Sequence, residues 1–293
     1  MGEAGGGSAR VAVEVEVERG SAELVADRLF QLGATAVAEQ AAGDGDRVVL
    51  VADLGPAGLD ALAAEGRQVR PAEDDGAWQD AWREHARAHR CGRHLVVRPA
   101  WVLPSEPEPG DVEVVVEPGR AFGSGSHATT RLCLAAVERL VRPGDRVLDV
   151  GCGSGVLGVA AALLGAGEVD AVDVDPHAVE VTRRVAAANG VAHLVRASGT
   201  ALDALDGTYD LVLANLLLPT IRELAGPLVS RTRPGGHLVV SGVLVDQADE
   251  ARRSLAGTEA VASDELDGWV ALVLARSVGS PARGRGSRAE PHG

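Results

Sequence analysis

Apolar and polar residues alternate strictly over Val11-Ala12-Val13-Glu14-Val15-Glu16-Val17-Glu18, the pattern of a strand with one buried face. The period then changes. Leu24, Val25, Leu29 and Leu32 recur at helical spacing behind Ser21, a suitable N-cap, and predict a helix to about residue 32. Short strands are expected at 34–39 and 47–52, on either side of the turn Gly43-Asp44-Gly45-Asp46. A helix over 56–65 and a strand near 67–70 follow. The order β-α-β-β-α-β predicts a small ferredoxin-like α+β domain over residues 11–72, suited to recognition or dimerisation.

Residues 73–91 read as a helix carrying Trp78 and Trp82 at i, i+4, which share a face and can pack onto a larger domain. With a strand at 95–97, they form a linker over 73–103. A proline-rich loop spans 104–110. Strand-like and helix-like segments then alternate. Strands are predicted at 112–116, 146–150, 168–174, 191–196, 209–214, 237–241 and 269–274. Helices are predicted at 128–141, 156–164, 176–189, 219–230 and 246–256. This alternation is the mark of an α/β domain with a doubly wound, mostly parallel, seven-stranded Rossmann-like sheet, here over 104–276. Residues 1–10 and 277–293 lack an apolar period and read as disordered.

One break in the pattern carries chemistry. The strand Val147-Leu148-Asp149-Val150 runs into Gly151-Cys152-Gly153-Ser154-Gly155 and then into a helix. Glycines at such a turn admit close backbone approach, and the helix start offers free N–H groups. Twenty-two residues after Gly151, a second strand ends in Asp173-Val174-Asp175, where a carboxylate can accept hydrogen bonds from ribose hydroxyls. A nucleoside-containing cofactor is expected. Gly153-Ser154-Gly155-Val156-Leu157-Gly158 also matches G-x-G-x-x-G, so an NAD-dependent oxidoreductase competes. Asp149 disfavours it, because a pyrophosphate repels a carboxylate, whereas the cationic amino group of S-adenosylmethionine attracts one.

Two flanking segments extend the site. Residues 117–130 form a loop rich in glycine and hydroxyls that opens into a helix, with His127 inside it and Thr129 or Thr130 able to supply a hydroxyl. Strand 209–214 ends at Asn215, at the carboxyl edge where doubly wound folds bind ligands. Its amide oxygen, with carbonyls of Leu216 or Leu217, can hold an amine by its N–H bonds.

Composition narrows the classes. The 293 residues carry 28 basic and 42 acidic side chains, a net charge of −14, which opposes broad contact with nucleic acid or anionic membrane and suits a basic protein partner. Only 2% are aromatic, so the core must be built from Val, Leu and Ala. Cys91, Cys133 and Cys152 are scattered and odd in number, which argues against a disulfide framework and for the cytoplasm. Cys152, at a helix N-terminus, is a candidate for a lowered pKa, although a small filler is the simpler reading. His85, His89, Cys91 and His94 resemble a metal cluster, but Arg83, Arg87, Arg90 and Arg93 surround them, so no metal is expected.

The motifs resemble, in order, those of the ribosomal protein L11 methyltransferase family, PrmA. Pro118 to Thr130 resembles its P-G-x-A-F-G-T-G-x-H-x-T-T loop, Asp149 to Gly155 its D-x-G-C-G-S-G turn, and Asp173-Val174-Asp175-Pro176 its D-x-D-P. Ala214-Asn215-Leu216-Leu217 resembles A-N-I-L, and Ser241-Gly242-Val243-Leu244 with Gln247 resembles S-G-I-L-x-x-Q. The resemblance covers about 78–275. It departs at Ala128, where proline is usual, and at Leu218-Pro219-Thr220-Ile221, where A-x-P-L is usual; the N-terminal module matches no distinctive family motif.

The resemblance implies S-adenosylmethionine as cofactor. It places cofactor contacts at Thr130, Gly151, Asp173 and Asn215, with Phe122 in the loop nearby, and the glycine turn adds Gly153 as a further expected cofactor contact. Asn215 is expected to position the amine. It also implies methylation of lysine or N-terminal amines of ribosomal protein L11, with the N-terminal domain recognising substrate. A different basic protein substrate, or a cofactor-binding protein without catalysis, are the alternatives.

Overall fold

The computed structural model describes residues 10–18, 21–34, 37–42, 47–72, 87–103, 108–116 and 127–278. Trp78, Trp82, His85, Phe122, the turn at 43–46 and all but Arg10, Ser277 and Val278 of the expected disordered ends lie outside them.

The N-terminal elements are β1 (Val11–Glu18), α1 (Ala22–Gln31), β2 (Val37–Ala41), β3 (Arg47–Leu54), α2 (Pro56–Ala64) and β4 (Val69–Pro71). Their sheet has the order β2-β3-β1-β4 with antiparallel neighbours, the ferredoxin-like arrangement that the element order predicts. The alternation in β1 sends Val13, Val15 and Val17 into one core with Val25, Leu29, Leu50 and Leu62.

The linker departs from expectation. Residues 73–86 are not described, and the chain after them is strand rather than helix, with β5 (His89–Arg90) pairing antiparallel to β6 (Leu95–Pro99). Leu95 and Val97 are fully buried, and the Cys91 N–H donates to the Leu95 carbonyl, so strand pairing overrides the helical period there. Next comes β7 (Val112–Val116), which pairs parallel to β6 in a separate three-stranded sheet and not in the main one. Asn189 clamps it, accepting from Val115 N–H at 2.8 Å and donating to the Val115 carbonyl at 2.7 Å.

The main domain continues α3 (Ala128–Leu140), β8 (Arg146–Val150), α4 (Val156–Leu163), β9 (Glu168–Val172), α5 (Pro176–Ala188), β10 (Val195–Ser198), β11 (Tyr209–Asn215), α6 (Leu218–Arg231), β12 (Thr232–Leu244), α7 (Ala248–Ser254), β13 (Thr258–Leu266) and β14 (Trp269–Arg276). The seven strands lie in the order β10-β9-β8-β11-β12-β14-β13. The first five are parallel; β14 is antiparallel to both of its neighbours. The seventh place belongs to β13, which periodicity does not reveal. None of its residues is buried, so no alternation is imposed on them. The expected strand at 191–196 begins only at Val195, because backbone bonds from Leu194 and Val195 to the Val191 carbonyl hold a turn there. The last expected helix is shortened to α7, preceded by a 3-10 turn, Val245–Gln247.

Aliphatic layers cover both faces of the sheet. Residues of α3, α4 and α5 join β6 and β7 in one cluster, and α6 and α7 join Leu148, Val212, Leu238 and Val240 in the other. The open ends of β8, β9 and β11 are left at the carboxyl edge.

Candidate active site

The turn after β8 depends on glycine. Gly151, Gly153 and Gly155 have φ of +69°, +53° and +78°, a region that side chains with a Cβ rarely adopt. The N–H groups of Gly151 and Cys152 both donate to the Val172 carbonyl, at 2.8 and 3.1 Å, which ties the turn to the end of β9. From the other side, the Thr182 hydroxyl of α5 donates to the Gly153 carbonyl at 3.2 Å.

Asp173 follows β9 and is half-buried. One carboxylate oxygen accepts from Gly153 N–H at 3.0 Å, and the other from Asp175 N–H at 2.9 Å. Asp175 turns away to cap α5 through His177 N–H. The chain therefore separates the two acids, with Asp173 at the glycine turn and Asp175 at a helix start. Asp149 is different from what its position in sequence implies. It is 1% exposed and accepts from Gly158 N–H of α4 at 2.9 Å. Its carboxyl braces the turn from beneath and does not face the crevice. Burial raises its pKa to about 7, with Asp173 adding to the rise against the Gly158 bond.

Cys152 is buried, and burial pushes its thiol up to about 12. The helix start does not activate it; it is a filler. Among the described residues, no group of three His, Cys, Asp or Glu is placed to hold a metal.

The start of α3 supplies the opposite wall. His127 caps the helix, its Nδ1 accepting from Thr129 N–H at 3.2 Å. Ala128 takes the first helical position, where proline is equally at home, so this departure from the family pattern leaves the helix start intact. Thr130 is 1% exposed, and its hydroxyl has no hydrogen-bond partner among the described residues. A buried hydroxyl in that state costs about 1–3 kcal/mol, a debt that a ligand atom can cancel.

Strand β11 pairs with β8 so that Ala214 faces Val150, which sets Asn215 beside Gly151. The Asn215 amide nitrogen donates to the Thr129 hydroxyl at 3.1 Å. Leu216 folds over Gly151, where a Cβ would fall 2.5 Å from its Cδ2. The backbone of Leu216 is held from β12. Its N–H donates to the Ser241 carbonyl at 3.0 Å, and Gly242, at φ +80° in an irregular stretch of β12, leaves room for it. The Leu217 carbonyl accepts from Ile221 N–H as the first bond of α6, so of the two expected backbone acceptors it is already engaged.

The structure thus brings Gly151, Gly153, Asp173, Thr130 and Asn215 to one edge, while Phe122 lies outside the described residues. Trp269, missed in the sequence because no motif marks it, stands edge-on to His127 with ring centroids 5.3 Å apart. A half-buried carboxylate at a strand tip, an orphaned buried hydroxyl and a glycine cradle fit an adenosine-bearing ligand without a phosphate.

Comparison with known proteins agrees. The sequence profile of "Ribosomal protein L11 methyltransferase (PrmA)" matches residues 57–277. A ribosomal protein L11 methyltransferase of Ralstonia pickettii is 38% identical over 291 residues, covering 88% of this chain and 96% of the relative. One from Geobacter sulfurreducens is 49% identical over 173 residues, covering 59% of this chain and 56% of that one. The crystal structure of a ribosomal protein L11 methylase from Lactobacillus delbrueckii subsp. bulgaricus superimposes with a TM-score of 0.60 at 30% identity, over 65% of this chain and 99% of that one. The chain belongs to the ribosomal protein L11 methyltransferase family, S-adenosylmethionine-dependent protein methyltransferases.

Proposed function

We propose that this chain methylates lysine side-chain or N-terminal amines of ribosomal protein L11 in the cytoplasm. The observation that carries the reading is Asn215, whose carboxamide is fixed at the carboxyl edge beside Gly151. S-adenosylmethionine supplies a methyl group already activated by its sulfonium. The residues here have to bind, orient and desolvate. Asp173 suits the ribose hydroxyls, with Gly153 N–H holding the carboxylate in place. Thr130 offers a hydroxyl without a partner among the described residues, and Gly151 and Gly153 let the backbone come close. Asn215 Oδ1 accepts an N–H of the substrate amine and leaves its lone pair toward the methyl. A lysine must first lose its proton, at a cost of about 4–5 kcal/mol at pH 7. Entry beside the half-buried Leu216, which covers Gly151, lowers that cost, since burial disfavours the ammonium. The acidic balance of the chain suits a basic protein, and we assign the N-terminal domain, residues 11–72, to its recognition.

Labelled S-adenosylmethionine, purified L11 and a ribosome-containing lysate provide the test, with mass spectrometry of the labelled protein. Label on L11 amines is expected. Label on another basic protein with L11 untouched would replace the substrate. Asn215→Ala should slow transfer by about 100-fold while S-adenosylhomocysteine still binds.

A further inference from the structure

The hydrogen bonds around Asn215 have a direction, and that direction reaches back to His127. Nδ1 of His127 accepts the Thr129 backbone N–H at 3.2 Å, so this nitrogen carries a lone pair and the ring proton sits on Nε2. The Thr129 hydroxyl lies 2.8 Å from the same Nδ1. Two acceptors cannot bond, so the hydroxyl donates its proton to Nδ1 and leaves its oxygen as an acceptor. That oxygen takes an N–H of the Asn215 carboxamide at 3.1 Å. The nitrogen end of the carboxamide is thereby turned toward α3, and the oxygen end away from it. Reversal would set the amide oxygen against the Thr129 oxygen, with no proton between them.

We propose that Thr129 and His127 are positioning residues, which fix the carboxamide of Asn215 with its oxygen toward the methyl-accepting amine. This rests on the reading of Asn215 given above. Three further observations support it. Thr129 is 1% exposed, so water does not compete for its hydroxyl. Burial lowers the pKa of His127 to about 4, which keeps Nδ1 a lone-pair acceptor at neutral pH. The edge of the Trp269 ring pair restrains the imidazole plane. A reversed carboxamide would present N–H groups to an amine that must itself be held by its N–H groups, and its lone pair would be drawn away from the methyl.

The test is a double-mutant cycle with a kcat against KM split. Thr129→Val keeps the side-chain shape and removes the donor and acceptor; Thr129→Ser restores both. Thr129→Val is expected to lower kcat by about 10- to 100-fold, with the KM for S-adenosylmethionine and the affinity for S-adenosylhomocysteine within about threefold of wild type. Thr129→Ser should recover most of kcat. In the Asn215→Ala background, Thr129→Val should cost nothing further, because its effect passes through the missing amide. Full kcat in Thr129→Val would overturn the positioning role, as would costs that add in the double variant, or a kcat loss that Thr129→Ser leaves in place while melting temperatures match. Full turnover in Asn215→Ala alone would instead overturn the reading of Asn215. If Thr129→Val does not fold, the cycle runs with Thr129→Ser and His127→Gln, and additive costs of His127→Gln and Asn215→Ala overturn the role equally.

Discussion

Gly242 is not among the expected cofactor contacts, yet its replacement should disable the site. A Cβ placed there would lie 2.7 Å from the Leu216 carbonyl carbon and 3.0 Å from its nitrogen, with the carbonyl oxygen closer still. Favourable carbon contacts begin at about 3.5 Å, so Leu216 must retreat by roughly 0.8 Å. Leu216 follows Asn215 directly, and an error near 1 Å at a reacting group costs about 100-fold in rate. The backbone adds its own term. At φ +80° an alanine carries about 1–2 kcal/mol of left-handed strain. Gly144 separates the two effects: its φ is +85°, nothing lies within 4 Å of its Cβ position, and it sits before β8, at the other edge of the sheet. Gly144→Ala should lower the melting temperature by about 2–8 °C, from strain alone, and leave kcat/KM unchanged. Gly242→Ala should melt lower than Gly144→Ala and lose about 100-fold in kcat/KM. Calorimetry and a methyl-transfer assay on both variants give the answer. Wild-type kcat/KM in Gly242→Ala, with a melting loss no larger than that of Gly144→Ala, would refute the coupling through Leu216.

Asp173→Ala removes a charge-assisted acceptor and should weaken S-adenosylhomocysteine binding by about 10- to 100-fold in titration calorimetry; unchanged affinity would remove Asp173 from the ribose role. Asp149 gives a pH signature: with its folded pKa near 7 and an unfolded value near 4, the native state binds the extra proton between them. Its contribution therefore falls as pH rises from about 4 to 7 and is flat above, so Asp149→Asn should gain on wild type by a few kcal/mol across that window; parallel urea-unfolding profiles would count against it. All three cysteines are buried, with thiols raised to about 11 or 12, so the folded protein should give no fast reaction with a thiol reagent at pH 8 and three equivalents once unfolded.

The sequence made β8, β9 and β11 legible because each is an aliphatic run closed by a glycine, an acid or an asparagine with a definite job. The glycine turn, Asp173 and Asn215 follow from that punctuation. Asp149 was misplaced because sequence gives position along a strand but not which way the side chain points. The role of Gly242 was hidden because it depends on a neighbour 26 residues away in sequence, Leu216. Strand β7 was assigned to the wrong sheet, since a valine run carries no information about which valine run it joins. Tertiary pairing with β6 decided that, and the Asn189 clamp secured it.

Strand β13 has a consequence for how copies of this protein treat one another. An open sheet ends in rows of unpaired N–H and C=O groups, a template for further pairing. This edge carries Glu259, Asp264 and Glu265 on a chain of net charge −14, and among the described residues Arg139 of α3 pairs with Asp264. Two such edges brought together would stack carboxylates on carboxylates, so the strand that was hardest to read is also one that guards the colloidal state.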